Sequence, residues 1–332
     1  MLLARAALAF TALLGTAGAA TVARPLLRRQ HAPQARSVQY DRAEASPVPT
    51  YLAKLIKTYP HVKKPWTQGL LWMPYQVDGM LIETVGDYPP GSGSFFRALD
   101  VHTGQELQQL TDGLQGVFAE GMTQRKDAFY MSTYNSRKIL AYNGNMQLVG
   151  SYDYPYEGWG LAYDSKNDRF LATNSTAALM LLDPNTLQLT GVKEVTCMGK
   201  SVEGMNELEY VPDFKGQGPV LMGNIINTRV VLMVNPETAA CVGMFHLQGP
   251  GLEYMDPTEQ AGYHVANGIA YDAAKGTFFV TGKNWRNMFE IDLVKEGSVG
   301  THQASVLLET HLAFAKPAGS LMPPAPAGSL MP

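Results

Sequence analysis

Val117-Phe118-Ala119-Glu120-Gly121-Met122-Thr123 is the stretch on which the reading of this chain turns. Apolar residues flank one carboxylate, and a glycine stands directly behind it. Alone it would be a turn beside a strand. Its weight comes from recurrence. Thr67-Gln68-Gly69-Leu70-Leu71, Gly158-Trp159-Gly160-Leu161-Ala162-Tyr163, Met205-Asn206-Glu207-Leu208-Glu209-Tyr210 and Ala266-Asn267-Gly268-Ile269-Ala270-Tyr271 follow the same plan. Each sets a polar or Trp residue before a small or acidic one and then an apolar one. The key positions Gln68, Glu120, Trp159, Asn206 and Asn267 lie 52, 39, 47 and 61 residues apart. That is the period of propeller blades with loop insertions.

Two further elements recur after each copy. The runs 81–86, 129–135, 170–176, 220–228 and 278–285 are rich in β-formers and mostly end in polar residues. Then comes an Asx turn: Asp100-Val-His-Thr-Gly104, Asn143-Gly144-Asn145, Asp183-Pro-Asn-Thr186, Asn235-Pro-Glu-Thr238, and the chain from Asp292 onward. Five such units predict an all-β, five-bladed β-propeller. The gaps are too turn-rich for the crossover helices of a parallel α/β sheet. The β-rich run 52–59 precedes the first unit and is expected to pair with the last, closing the ring and hiding sheet edges.

Around this core lie simpler segments. Residues 1–20 hold Arg5, a 15-residue mostly apolar run and Ala17-Gly18-Ala19, which reads as a signal peptide or a retained anchor. The run is short for a membrane span. A transit peptide also fits, since no Asp or Glu precedes Asp41. Residues 21–50 have the composition of a flexible linker. The expected propeller domain covers 51–312, and 313–332 form a low-complexity tail in which PAGSLMP occurs at Pro317–Pro323 and again at Pro326–Pro332.

Composition narrows the function. A net charge of −3 without a basic stripe argues against nucleic-acid binding. With 45% hydrophobic and 17% charged residues the chain is an ordinary globular protein. Two cysteines, Cys197 and Cys241, form no Cys-x-x-Cys and are either one disulfide or two small buried residues. There is no Gly-x-Ser-x-Gly elbow and no His-Glu-x-x-His, and the seven histidines lack metal-ligand spacing.

In a propeller the first strand of each blade lines the central channel, and the second returns to the same mouth. Gln68, Glu120, Trp159, Asn206 and Asn267 are therefore expected in one ring, with Glu83, Thr133, Asn174, Asn224 and Lys283 near it. One carboxylate among amides, with an indole and an ammonium, makes a pocket able to bind a small polar group and move a proton. Each member also has a structural reading: amides that satisfy loop backbone, an indole in the core, Glu120 with Lys283 as an ion pair. Glu207 and Glu209 share a face by alternation and read as ligands of a structural cation or of neighbouring backbone.

These stretches resemble the plant-type glutaminyl-peptide cyclotransferases (glutamine cyclotransferases), from about Thr58 to Val294. Thr58-Tyr-Pro-His61, Trp66-Thr-Gln-Gly-Leu70, Phe118-Ala-Glu-Gly121, Gly158-Trp-Gly-Leu161, Asn206-Glu-Leu-Glu-Tyr-Val211, Asn267-Gly-Ile-Ala-Tyr-Asp272 and Thr281-Gly-Lys283 follow in family order. The resemblance implies cyclisation of an N-terminal Gln to pyroglutamate with release of ammonia. It implies Glu120 as proton shuttle and Lys283 and Asn206 as oxyanion stabilisers. Gln68 and Asn267 would orient the substrate, and Phe118 and Trp159 would wall the pocket. It implies peptides or proteins with N-terminal Gln as partners and no cofactor for catalysis. A structural calcium in the channel rests on the same analogy. A monomer in the secretory pathway or secreted is expected, with a membrane-anchored form as the alternative. The rival reading is a propeller that binds peptides or partners without catalysis. The chain departs from the family at Ile226, where Trp is usual, and at Thr173-Asn-Ser-Thr176, which forms a glycosylation sequon expected to be unmodified in an active enzyme.

Overall fold

Among the described residues strands pair antiparallel with sequence neighbours inside each sheet, while the N-terminal strand pairs antiparallel with the last strand and parallel with another. The computed structural model describes residues 47–63, 65–74, 79–247 and 265–299. The stretches read as targeting segment and tail, and residues 21–46 of the linker, lie outside them. No helix occurs among the described residues.

Strand β1 (Val48–Pro60) comes first. Strands β2 (Thr67–Met73), β3 (Met80–Val85), β4 (Phe95–Asp100) and β5 (Glu106–Leu110) form one four-stranded sheet in that order. Strands β6 (Ala119–Arg125), β7 (Ala128–Thr133), β8 (Lys138–Tyr142) and β9 (Leu148–Asp153) form the second. Strands β10 (Leu161–Asp164), β11 (Arg169–Ala172), β12 (Ala178–Leu182) and β13 (Leu189–Glu194) form the third. A small hairpin, β14 (Thr196–Cys197) and β15 (Lys200–Ser201), follows. Strands β16 (Met205–Val211), β17 (Val220–Ile225), β18 (Val230–Val234) and β19 (Cys241–His246) continue into an eight-stranded sheet with β1 and with β20 (Ala266–Asp272), β21 (Thr277–Gly282) and β22 (Asn287–Val299).

The joint inside that large sheet is β1. It pairs antiparallel with β22 along its whole length, from Val48↔Val299 to Pro60↔Asn287. Near its start it also pairs parallel with β19, Thr50↔Met244 to Leu52↔His246. The strand expected over 52–59 thus begins at Val48, inside the stretch read as linker, because its first residues have ladder partners on both sides. Tyr51, Ala53 and Tyr59 are buried by this pairing.

The inner strands touch in a cycle: β2 against β6, β6 against β10, β10 against β16, β16 against β20, and β20 back against β2. Apolar clusters fill the successive interfaces. Phe96 packs with Phe129, Ile139 with Phe170, Leu171 with Leu221, Val231 with Phe278, and Leu81 with Phe279. The result is β-propeller-like.

The predicted Asx turns form at four places. Asp100 Oδ1 accepts from the N–H groups of His102 and Thr103, Asn143 Oδ1 from those of Asn145 and Gln147, Asp183 Oδ1 from those of Asn185 and Thr186, and Asn235 Oδ1 from those of Glu237 and Thr238. The fifth does not form: Asp292 lies within β22, opposite Lys54. The last unit needs no outer turn, because β1 supplies its outer strand. Cys197 and Cys241 are disulfide-bonded, tying the small hairpin to β19.

Glu83 locks the junction between β1 and the first sheet. It is fully buried and accepts from Thr67 Oγ1 at 2.6 Å and Arg97 Nε at 2.8 Å, with His61 Nε2 at 2.9 Å. Burial opposes its ionisation, but the His61 and Arg97 charges win and hold its carboxyl down at about 2. A depressed carboxylate stabilises the fold above its unfolded value, near 4.5, and loses that contribution as pH falls toward 2. Glu83→Gln leaves the buried Arg97 with Glu106 Oε2, at 3.3 Å, as its one remaining carboxylate partner among the described residues. It is expected to cost about 3–5 kcal/mol at neutral pH, and urea titrations from pH 7 to 3 should show a flatter acid decline than in the parent protein. The sequence reading expects Glu83 near the mouth; its carboxylate is fully engaged by Thr67, beside Gln68, and by His61 and Arg97.

Candidate active site

Four of the five key positions sit at breaks in strand register. The ladders shift between Thr67 and Gly69, Ala119 and Met122, Met205 and Leu208, and Ala266 and Ile269. Each break is a bulge that bends the inner strand and re-aims one side chain. Gln68, Glu120, Asn206 and Asn267 occupy those bulges. Trp159 comes just before β10 and is held by backbone pairing with Thr173. The recurrent glycine has a local reason. A Cβ on Gly160 would meet Asn206 O at 2.0 Å, and one on Gly121 would meet Leu161 N at 2.7 Å. Inner strands approach so closely here that no side chain fits between them.

The side chains converge. Asn267 Nδ2 donates to Gln68 Oε1 at 2.9 Å and to Thr67 O at 2.8 Å. Gln68 Nε2 donates to Glu120 Oε1 at 3.4 Å. The Gly268 N–H donates to Asn224 Oδ1 at 3.2 Å. These bonds fix which amide atom is which in Asn267, Gln68 and Asn224, and an unusual remainder is left. Trp66 Nε1, Glu120 Oε2, Trp159 Nε1, Asn206 Oδ1, Asn224 Nδ2 and Asn267 Oδ1 are buried and find no hydrogen-bond partner among the described residues. A buried polar atom left so costs about 1–3 kcal/mol. Six around one mouth, three of them donors and three acceptors, mark a site built for a polar ligand with both kinds of group.

The electrostatics centre on Glu120, which has no accessible surface. Burial drives its pKa well above the carboxylate range, the Lys283 ammonium pulls it back, and Glu157 pushes it up again. Lys283 is 4% exposed. Burial depresses its pKa, and Glu120 works the other way. Its ammonium lies 5.2 Å from the Trp66 ring centroid, a cation–π geometry, and Tyr88 packs against that ring at a tilt, with centroids 3.9 Å apart. No salt bridge joins Glu120 and Lys283 among the described residues. The half-buried Phe118 meets Tyr134 edge-on at 6.0 Å, and its ring lies where a Cβ on Gly86 would stand.

Other expected members go elsewhere. Thr133 Oγ1 bonds the Lys138 backbone, and Asn174 Oδ1 accepts from Thr176 within its own turn. Glu207 and Glu209 do share a face, and both take backbone partners. Glu207 accepts from the N–H groups of Leu70 and Ile269, and Glu209 from that of Tyr271. Burial raises Glu207 strongly, and raises Glu209 to about 8. With both Glu207 oxygens and one Glu209 oxygen accepting from backbone N–H groups, these two carboxyls follow the backbone-partner reading. Among the described residues no group of three or more His, Cys, Asp or Glu side chains gathers. Sequence reasoning missed Trp66 as the support of Lys283, and it missed Glu157 altogether.

A propeller-like fold whose mouth pairs a buried carboxylate with a buried ammonium belongs among proteins that bind and act on small polar groups. Comparison with known proteins makes the class specific. Residues 29–293 match the glutamine cyclotransferase family, and the chain belongs to that family. It is 28% identical over 243 residues to the glutaminyl-peptide cyclotransferase of Arabidopsis thaliana, covering 72% of this chain and 71% of that one. It is also similar to the crystal structure of glutaminyl cyclase from Myxococcus xanthus, with a TM-score of 0.64 and 26% identity over 75% of this chain and 100% of the other.

Proposed function

We propose that this protein converts the N-terminal Gln of peptides and proteins to pyroglutamate, releasing ammonia. The observation that carries this is the set of six unpartnered polar atoms around Glu120 in a member of this family. An N-terminal Gln offers a matching set: an amine, an amide carbonyl and an amide nitrogen.

Ring closure joins the α-amine nitrogen to the side-chain amide carbon. It is intramolecular, so proximity is largely built into the substrate. The free amine has a pKa of about 7.7–8.0, which leaves a useful neutral fraction near pH 7. Glu120, ionised, takes a proton from the attacking nitrogen as the C–N bond forms. It then gives that proton to the amide nitrogen, ammonia departs as the carbonyl reforms, and Glu120 returns to its starting state. Lys283 and Asn206 face the tetrahedral oxygen, Lys283 supplying positive charge and Asn206 an amide donor. Asn267 and Gln68 orient the substrate amide, and Phe118 and Trp159 exclude water. Proton transfer and positive charge are thereby both supplied by side chains, and the scheme calls for no metal ion.

The inner-strand cycle and the filled interfaces support five blades, the fifth completed by β1. We read the protein as a monomer of the secretory pathway or the cell exterior, released or held by its N-terminal segment. A disulfide suits such an oxidising compartment. The assay is ammonia release from N-terminal Gln and Asn peptides side by side. Release from Gln alone is expected, because the Asn ring would be one atom smaller. Binding of the Gln peptide without ammonia would sink the proposal.

A further inference from the structure

Glu157 stands in the loop between β9 and β10, and that loop is pinned. Tyr154 is buried, donates its N–H to Arg137 O at 2.9 Å and packs edge-on against Tyr156. The Gly158 N–H donates to Thr133 O at 3.1 Å, and a Cβ on Gly158 would lie 2.6 Å from that oxygen. Trp159 O accepts from the Gly121 N–H at 3.0 Å and from Ser132 Oγ at 2.6 Å. Thr133 is the register partner of Ala119, the neighbour of Glu120. Glu157 is thus fixed one residue from a contact beside Glu120, close enough for its charge to act on that buried carboxyl.

Its side chain takes no part in holding the loop. Glu157 is half-buried, and among the described residues its carboxylate makes no hydrogen bond and no ion pair. Backbone atoms of Tyr154, Gly158 and Trp159 do the anchoring. Among the described residues Glu157 is then a carboxylate without a counter-charge, in the loop that packs beside Glu120. An unpaired carboxylate, with Glu120 Oε2 buried and unpartnered beside it, is set for a cationic ligand group. A peptide N-terminus is such a group, since near neutral pH it arrives largely as ammonium.

We propose that Glu157 is the subsite for the substrate's α-ammonium, the residue by which the mouth selects chains with a free N-terminus. This rests on the cyclotransferase reading. The half-exposed Glu157 pairs with the ammonium as it enters, and one proton passes to bulk water before the nitrogen attacks. Glu120, deeper and fully buried, is kept for the transfer that accompanies bond formation.

The test compares a charged ligand with an uncharged one in the full-length protein. The Gln peptide carries the amine; the pyroglutamyl peptide of the same sequence does not. Glu157→Gln should raise KM for the Gln peptide about tenfold, the low end for a charged hydrogen bond at a half-exposed site. The inhibition constant of the pyroglutamyl peptide should stay within about twofold, and kcat should move far less than KM. The rise of KM with added salt should shrink, since the screened attraction is gone. An unchanged KM overturns the proposal, and so does a parallel rise of KM and of the inhibition constant, which would mark a loop support. If the parent protein released no ammonia, the cyclotransferase reading would fail by itself. Calorimetric binding of the same two peptides to parent and Glu157→Gln proteins would still decide whether Glu157 reads the amine.

Discussion

Glu120→Gln is expected to lower kcat for ammonia release by about 10²–10⁴-fold, the range for a positioned acid–base group. The substitution changes little else. Gln keeps the oxygen that accepts from Gln68 Nε2, and it fills the same buried volume. Burial already drives Glu120 toward its neutral form, so removing the charge does not strip a stabilising ion pair from the fold. Melting temperature and far-ultraviolet circular dichroism should therefore match the parent. KM should change less than kcat, because the lost step is proton transfer. The parent pH–rate profile carries a second mark. Burial, opposed by Lys283 and aided by Glu157, leaves Glu120 above the carboxylate range. A base must be ionised to act, so the acid limb of kcat should fall at higher pH than an ordinary carboxylate would give. Near-parent turnover by a folded Glu120→Gln protein would remove Glu120 from the reaction.

Much of this site was legible in the chain, and the limits have physical causes. The repeat fixed the positions of Gln68, Glu120, Trp159, Asn206 and Asn267, because a recurring unit must present the same position to the same face. What it could not yield was aim. The bulges at Gln68, Glu120, Asn206 and Asn267 turn those side chains, and simple alternation does not foresee a bulge. The glycine after three of them was the available signal, since Gly in a strand marks a bulge or a close backbone approach. Alternation held for Glu207 and Glu209, since both reach backbone N–H groups of the neighbouring inner strand β20, although Glu207 lies within the register break. The structural role of Glu83 was hidden for a related reason. Glu83 is an acid in a returning strand, but its partners His61 and Arg97 come from β1's end and β4, and no local pattern announces a cluster drawn from three segments. Asp292 was read as a turn because an Asx residue is a local signal, whereas β22 is extended by long-range pairing with β1. Glu157 breaks the repeat, so no comparison of units could single it out.

Lys283→Met should cost about 10²–10³-fold in kcat, the loss typical of one oxyanion-stabilising group. The turn that carries Lys283 will hold without its charge. The Lys283 N–H donates to Val265 O, and the Asn284 N–H to Pro65 O, both at 2.9 Å. Met fills the space beside Trp66 with an unbranched side chain and removes a buried ammonium, so stability should stay level or rise. The sign of the pH effect separates this variant from a mere loss of packing. Lys283 is the group that pulls the Glu120 pKa down. Without it, burial and Glu157 act unopposed, and the acid limb of kcat should move to still higher pH. Raising pH should then recover part of the lost activity, though not the part due to the oxyanion. Lys283→Arg keeps a positive charge on a larger, forked head that does not fit one ammonium's place. It should restore the acid limb toward the parent position without restoring kcat. The double variant Glu120→Gln, Lys283→Met should be little slower than Glu120→Gln alone, since groups that act as one unit are not additive. Fully additive losses, or an acid limb that does not move in Lys283→Met, would mean that the two buried charges work independently and that Lys283 does not set the proton affinity of Glu120.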